Sequence, residues 1–362
     1  HWQDEVDAFN NAKSPDGFLP RARGFALLPL RYGVSFTSVP MNQGGATISV
    51  YAADASVLVH HGGVEMGQGI DVKAQQVAAA ALGVPMSVIR IGAHSTQTAA
   101  NAFDTGASTG SQLNLPAIGN AAEQLCARMQ QCLDETAVAA LVDVLPPSSG
   151  LAERLRFLVA DGERKQLGKF LVDKAVAVNA ALNQAATSAR AARNTRKAAQ
   201  YTAMGKYLTA GLSWRVAPPN AGEEAQDLTA VWRWAVDTCF KSRVSLVERG
   251  FTRAVADQGR QLSAKNVFYY FNYAAAATLV EVDALTGEVD VLDTHIVYDA
   301  GNSTNPGVDV GQIEGAFLQG LGNVLSEEVT HQHAELQQNS ILSYAVPGHR
   351  MVPRNFSVSL YP

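Results

Sequence analysis

The first part of the chain has the alternating pattern of β-strands. Between Phe25 and His61, three runs rich in β-branched and aromatic residues (GVSFT, ATISVY and SVLVHH) are bounded by Gly, Asn and Asp, which is typical of strands separated by turns. From Val72 to Leu82 the small and apolar positions recur with helical spacing, and Gly83 follows. Because a glycine often ends a helix, the pattern predicts strands followed by a helix.

The pattern changes twice more before the middle of the chain. VIRIG (88–92) predicts a short strand, and a second helix is predicted from about Gln112 to Leu133, after a stretch rich in Gly, Ser, Thr and Asn. Residues 136–228 then differ in kind, because linker signals occur near each end, PPSSG (146–150) and APPNAG (217–222). We therefore predict a separate, mostly helical insertion over this segment.

The predicted insertion carries an amphipathic pattern over an alanine-rich run. Apolar and small positions recur at helical steps, which predicts one helix of unusual length: Leu167, Leu171, Val178, Leu182 and Ala185. Between residues 161 and 206 there are nine Lys or Arg against three acidic residues. Such a basic face is ordinarily solvated, and docking onto the acidic surface of a partner is the alternative.

The last part of the chain returns to strands and closes on a helix. Two β-rich runs at 268–283 and 289–299 flank ALTGE (284–288), and a short glycine-containing connection between such runs predicts a hairpin. GQIEGAFLQGLGNVLSEE (311–328) then has helical spacing, with small residues that allow close approach of another backbone.

Composition limits the classes of function. Apolar residues make up 47% of the 362 residues, charged residues 17%, and the net charge is −5. This balance permits a sizeable core and argues against a nucleic-acid partner. No apolar run is long enough to cross a bilayer, and the start lacks a signal peptide, so a cytoplasmic protein without membrane contact is predicted. Since the first residue is not Met, we expect a processed chain or a piece of a longer one.

Three glycine-flanked segments join a predicted strand to a predicted helix. They are HGGVEMGQG (61–69), DTGASTGS (104–111), and a segment running from Asp299 through Asn305-Pro306 to GQIEG (311–315). Glycine lets a backbone approach a ligand closely, and a helix N-terminus offers N–H groups to an anion. Taken alone, the first segment is better explained as a tight turn, and the second as capping of the following helix by Ser111 or a neighbour. Together they suit one large polyanionic cofactor.

Other nucleotide and metal sites are not predicted. The sequence contains neither a Walker motif nor GxGxxG. His60 and His61 are adjacent on a predicted strand, so their side chains should point to opposite faces and not share a metal ion. The cysteines are too few for an iron–sulfur cluster or a zinc site and are expected to be reduced thiols: Cys126, Cys132 and Cys239.

Several of these strings resemble one enzyme family. GGVEMGQG (62–69) and the block DALTGEVDVLDTHIVYDAGNSTNPGVDVGQIEGAFLQGLG (283–322) are similar to the xanthine dehydrogenase/aldehyde oxidase family of molybdenum hydroxylases. The resemblance covers about 1–133 and 230–362 and implies the C-terminal part of the molybdopterin-binding domain. The fold expected is α+β, a mixed-sheet subdomain with a mostly helical insertion. The expected domains are a first molybdopterin-binding block (1–135), the insertion (136–228) and a second, truncated block (229–362).

The resemblance also implies roles for individual residues. Gly67 and Gln68 match the pair whose glutamine lies beside the ligands of molybdenum, and Gln312 matches a glutamine that hydrogen-bonds the pterin. The stretch that wraps the pterin and its phosphate matches Gly106, Ala107, Ser108, Thr109, Gly110 and Ser111. We expect the three segments to converge on the cofactor, and we assign no catalytic residue and no direct metal ligand in this chain.

The family hydroxylates a carbon next to nitrogen or oxygen, which implies a purine or an aldehyde as substrate. The implied partners are the N-terminal molybdenum half and the FAD and 2Fe–2S domains, in a homodimer or larger assembly. The family's catalytic glutamate, in a Gly-Glu-Pro-Pro string, is expected downstream of Pro362. Asp104 departs from the usual proline, and its carboxylate would disfavour a phosphate unless it points away. A catalytically silent structural subunit is the alternative.

Overall fold

The computed structural model describes residues 1–12, 17–146, 149–160, 164–214, 223–253 and 268–361. The helices there are α1 (Trp2–Asn11), α2 (Ile70–Leu82), α3 (Gly110–Val144), α4 (Gly150–Ala160), α5 (Arg164–Asp173), α6 (Ala175–Ala191), α7 (Thr195–Thr209), α8 (Glu223–Lys241) and α9 (Pro306–Leu325). The strands are β1 (Arg21–Val34), β2 (Gln43–Val50), β3 (Val57–His61), β4 (Ile89–Ile91), β5 (Val247–Arg253), β6 (Tyr270–Asp283), β7 (Val289–Asp299), β8 (His331–Gln332), β9 (Glu335–Leu336) and β10 (Asn355–Tyr361).

The chain forms two compact units. Unit 1 comprises His1–Thr37 and Gln261–Pro362, and its main sheet has the order β1-β6-β7-β10. The predicted hairpin is confirmed, because β6 and β7 pair antiparallel across the turn at 284–288. β1 joins the chain termini into one unit by pairing with β6 from Arg21↔Asp283 to Val34↔Tyr270. Helix α1 places Val6 in a small core with two residues of this sheet, Leu279 and Leu292.

Unit 2 comprises Ser38–Arg260 and contains a second sheet, β4-β3-β2-β5. The side chains of β2 alternate between buried and half-buried along its length, as expected of a strand with one face on the core. Helices α2 to α8 share one continuous apolar core with this sheet. The buried indole of Trp232 on α8 donates to Ala55 O (2.8 Å), and this bond connects α8, the last helix of unit 2, to the turn before β3.

The helical segment is built differently from its prediction. The prediction of a single long amphipathic helix is wrong. The helix is interrupted at Lys174, between α5 and α6, and again at Ala192 to Asn194, where the Asn194 side chain caps α7. The long helix is instead α3, which was expected to end at Leu133 and continues to Val144. The linker signal at 217–222 and part of that at 146–150 lie outside the described residues.

The segment 136–228 also packs closely against its surroundings. Its predicted borders fall inside α3 and α8, and its helices share the core of β2 and β3. The packing divides the chain instead at 37/38 and 260/261, because β1 pairs with β6 over its whole length. The division into two molybdopterin-binding blocks and an insertion stays a prediction.

Helix α9 begins before its predicted start at 311. Pro306 occupies its first turn, and the Asn305 side chain accepts a hydrogen bond from Val308 N (3.2 Å). Asparagine before a helix and proline at its first position are both strong start signals, so the assignment of Pro306 and the next four residues to the loop was wrong, whereas Asn305 lies in the loop as predicted. Across the described ranges, no helix is both long and apolar enough to cross a membrane.

Candidate cofactor site

The loop of residues 62–69, called here the Gln68 loop, connects β3 to α2. Glu65 accepts the backbone N–H groups of Gly67 (2.8 Å), Gly69 (3.0 Å) and Asp71 (3.0 Å). Burial alone would raise the pKa of Glu65, but these backbone hydrogen bonds outweigh it and hold the pKa below its ordinary value. The N–H donors at the start of α2 are therefore bonded to a carboxylate of the chain itself.

Gln68 is held in place by its own loop. Its Oε1 accepts from Met66 N (2.6 Å), and its Nε2 donates to Val64 O (2.8 Å). Gly67 and Gly69 have φ of 97° and 74°, which L residues rarely adopt, so glycine on both sides of Gln68 makes this turn possible. An amide nitrogen carries two hydrogens, and only one is needed for the bond to Val64.

The segment 104–109, called here the α3 entry loop, leads into the longest helix. Ala107 and Ser108 have consecutive left-handed φ values of 51° and 54°, a conformation that costs on the order of 1–3 kcal/mol at each non-glycine residue. Thr109 is the N-cap of α3, and its hydroxyl donates to Gly106 O (3.0 Å) without capping the helix. Capping by Ser111 is not observed, since Ser111 lies within the first turn of α3.

The first turn of α3 presents backbone donors to its surroundings. An α-helix leaves the N–H groups of its first turn without partners inside the helix. In α3 these groups belong to Gly110, Ser111 and Gln112. The positive end of the helix dipole lies at the same place. Backbone N–H groups, serine hydroxyls and a helix N-terminus are a donor set that suits a phosphate.

The Gln68 loop and the α3 entry loop meet. Val64 N donates to Thr105 Oγ1 (2.9 Å), and the buried Asn114 side chain accepts from Gly62 N (3.1 Å) and donates to Gly110 O (2.9 Å). Thr105 thus joins the two loops, and Asn114 joins the Gln68 loop to the first turn of α3. The sequence analysis missed Asn114, although an amide between Leu113 and Leu115 on a buried helix face is a recognisable signal.

Asn114→Ala is expected to lower the free energy of unfolding by about 1–3 kcal/mol, because the part-buried Gly62 N loses its acceptor. Urea denaturation measures this. Gln131→Ala on the same helix is the matched control: its side chain is exposed and donates to Glu135 one turn away (3.5 Å), so a change within about 0.5 kcal/mol is expected. Equal losses in both variants would contradict the role given to Asn114.

Three further polar side chains lie together behind the Gln68 loop. His61 Nε2 lies 3.2 Å from Asp71 Oδ1, and His94 Nε2 lies 3.2 Å from the same oxygen. The His61 side chain is fully buried, and burial lowers its pKa despite the neighbouring Asp71. The sequence analysis considered His61 only with His60, whose ring lies instead against Gly92.

The third predicted segment belongs to unit 1. Gln312 lies in the second turn of α9, not in its first, and is exposed. Ser303 Oγ donates to Asp309 Oδ2 (2.5 Å), which fixes the loop before the helix. The Gln68 loop and the α3 entry loop converge within unit 2, and their convergence with Gln312 stays a prediction.

The sequence matches the family of the molybdopterin cofactor-binding domain over residues 1–155 and 170–353. The chain belongs to this family. The match passes through most of the segment 136–228, so this molybdopterin-binding chain resembles its family over more residues than the sequence analysis recognised. The recognition of the family and the α+β fold class are confirmed.

Named relatives agree with this assignment. The chain is 31% identical to a xanthine dehydrogenase of Oryza sativa subsp. japonica over 350 residues, covering 94% of this chain and 19% of that protein. It is 32% identical to xanthine dehydrogenase 1 of Arabidopsis thaliana over 366 residues, covering 98% and 20%. The chain therefore spans about a fifth of the length of these relatives.

Solved structures show the same fold. Quinoline 2-oxidoreductase from Pseudomonas putida aligns with a TM-score of 0.59 at 17% identity, over 99% of this chain and 37% of that one. The aldehyde oxidoreductase from Desulfovibrio desulfuricans aligns with a TM-score of 0.58 at 18% identity, over 99% and 28%. The donor set at the start of α3 fits the phosphate of a molybdopterin, the cofactor of the family.

Proposed function

We propose that this chain holds the molybdopterin of a molybdenum hydroxylase, with the start of α3 binding the phosphate and Gln68 facing the metal side. The observation that carries the proposal is that the Gln68 loop is joined to the α3 entry loop by Thr105 and to the first turn of α3 by Asn114. One loop presents an oriented glutamine amide, and the other presents helix N-terminal donors. The cofactor-binding residues are Gly67, Gln68, Gly106, Ala107, Ser108, Thr109, Gly110, Ser111 and Gln312.

The reaction that we propose for the whole enzyme is oxidative hydroxylation of a purine. The relatives named above are xanthine dehydrogenases, which favours a purine over an aldehyde. The bound cofactor supplies the oxidation chemistry, and the residues of this chain bind it, orient it and donate hydrogen bonds to it. FAD, 2Fe–2S clusters and the N-terminal molybdenum half belong to other parts of a cytoplasmic homodimer or larger assembly.

Ser111→Asp is expected to separate cofactor binding from folding. A carboxylate in the first turn of α3 interacts favourably with the helix dipole, by about 0.3–1 kcal/mol, but it repels a phosphate bound there. The melting temperature should stay the same or rise, while the molybdenum and pterin contents of the purified protein fall together. Metal analysis and fluorescence of the released, oxidised pterin measure the contents.

Ser111→Asn is the matched control, since it has the size of the aspartate without its charge. It should retain more cofactor than Ser111→Asp. If both variants keep the full cofactor, the phosphate does not lie at the start of α3. If the unaltered protein contains neither molybdenum nor pterin, the chain is the structural subunit, and the proposal fails.

A further inference from the structure

We propose that His61, Asp71 and His94 form a zinc site that stabilises the Gln68 loop, with ligands on either side of the loop in the sequence. The three residues come from three different segments: the end of β3, the first turn of α2, and the loop after β4. β3 and β4 are parallel neighbours, so residues that follow their carboxyl ends lie at the same edge of the sheet. The proposal concerns a second metal and does not depend on the bound molybdopterin.

The distances fit a tetrahedral ion. The potential ligand atoms of the three residues all lie within 4.8 Å of one another. Both His61 Nε2 and His94 Nε2 are 3.2 Å from Asp71 Oδ1. Zinc bonds to nitrogen and oxygen are 2.0–2.1 Å long, which puts neighbouring ligands of a tetrahedron about 3.3 Å apart.

The chemistry of the three groups also favours zinc. Two imidazoles and one carboxylate are a ligand set that zinc accepts, whereas magnesium and calcium prefer oxygen alone. The His61 side chain is fully buried, while His94 and Asp71 keep 26% and 32% of their side-chain exposure. An ion can therefore enter from the solvent side, where water takes the fourth position.

Zinc binding would act on the Gln68 loop through the ring of His61. Gly63 N donates to His61 Nδ1 (3.2 Å), so in the zinc-free protein the ring proton lies on Nε2, facing Asp71. An ion on Nε2 moves that proton to Nδ1, and the bond from Gly63 is lost in exchange for the metal bond. Asp71, in turn, donates its backbone N–H to Glu65 of the loop (3.0 Å). The ion thus joins His61 and Asp71, which lie on either side of the Gln68 loop in the sequence.

The test measures zinc and molybdenum in the same digest of the purified protein after dialysis against buffered free zinc. One zinc per chain is expected, and a competing chromophoric chelator gives the dissociation constant. His94→Ala and Asp71→Asn should weaken zinc binding on the order of 10²-fold or more, since even groups behind the ligands contribute 10–100-fold. Zinc should also raise the melting temperature of the original protein but not of these variants.

His60→Asn is the matched control, because it removes an imidazole from the same strand on the side of Gly92. It should bind zinc as the original protein does. Equal zinc affinity in all variants, or no zinc retained by the original protein, would overturn the site and leave the three residues as a hydrogen-bonded clamp. Since zinc and molybdenum are counted separately, failure of this site is distinguishable from failure of cofactor binding.

Discussion

Gly250→Ala is expected to destabilise unit 2 severely. Gly250 lies on β5 against α3, and an added Cβ would lie 1.9 Å from Ala117 O and 2.5 Å from Ala121 N. Both are backbone atoms of α3, so the clash cannot be relieved by rotating a side chain. The strand and the helix must separate, and such overpacking typically costs about 1–3 kcal/mol, occasionally more. Urea denaturation and hydrogen exchange of the amides in α3, β2 and β5 measure the loss.

The control for this variant lies on the same helix. Gly119 has no atom within 4 Å of an added Cβ, and alanine in a helix interior is better than glycine by up to about 1 kcal/mol. Gly119→Ala should therefore be neutral or stabilising. If both variants unfold at the same urea concentration, the close approach of β5 to α3 does not exist in solution.

Local signals were sufficient where a single segment determines its own structure. The helix ending at Gly83 was predicted correctly, and the glycine has the left-handed φ of 69° that such an end requires. The hairpin of β6 and β7 followed from its short connection in the same way. Asn305 and Pro306 carried an equally local signal for the start of α9, which was read as a loop because the periodic pattern was clearest after Gly311.

Contacts between distant segments could not be predicted from periodicity. The apolar positions before and after Lys174 continue one helical period, so the pattern did not reveal two helices, α5 and α6. The division of the chain depends on β1 pairing with β6, which lies about 250 residues later in the sequence. Arg21 and Arg23 of β1 form ion pairs with Glu281 of β6, but such charges are common along strands, and the periodic pattern does not show which of them pair.

The site was predicted in part for the same reason. Glycine-rich segments before helices can be recognised one at a time, whereas the contacts that join them are set by tertiary packing. Thr105 joins the two loops across 41 residues, and Asn114 joins the Gln68 loop to α3 across 52 residues. His94 comes beside His61 only because β3 and β4 are parallel neighbours, and nothing in the sequence near His94 indicates this.

Gln68→Ala is expected to lower the turnover of the assembled enzyme on the order of 10²–10³-fold, the typical loss when one positioned donor is removed from a reacting centre. Two hydrogen bonds to Met66 and Val64 fix the plane of the Gln68 amide. The donor is therefore oriented before any ligand binds, which is the condition for a large effect. Molybdenum and pterin contents should stay unchanged, because the phosphate is bound by α3 in the proposed function.

Gln75→Ala is the control, because it removes another glutamine whose amide also holds two backbone groups. Gln75 Nε2 donates to Met86 O (3.2 Å) and Ile89 O (2.8 Å), away from the Gln68 loop. Steady-state rates normalised to molybdenum content should fall for Gln68→Ala and not for Gln75→Ala. If Gln68 only stabilises a surface turn, its replacement by alanine would change the free energy of unfolding by about 0.5 kcal/mol or less and leave the rate per molybdenum unchanged. That outcome would remove Gln68 from the reacting centre while leaving the cofactor site at α3 intact.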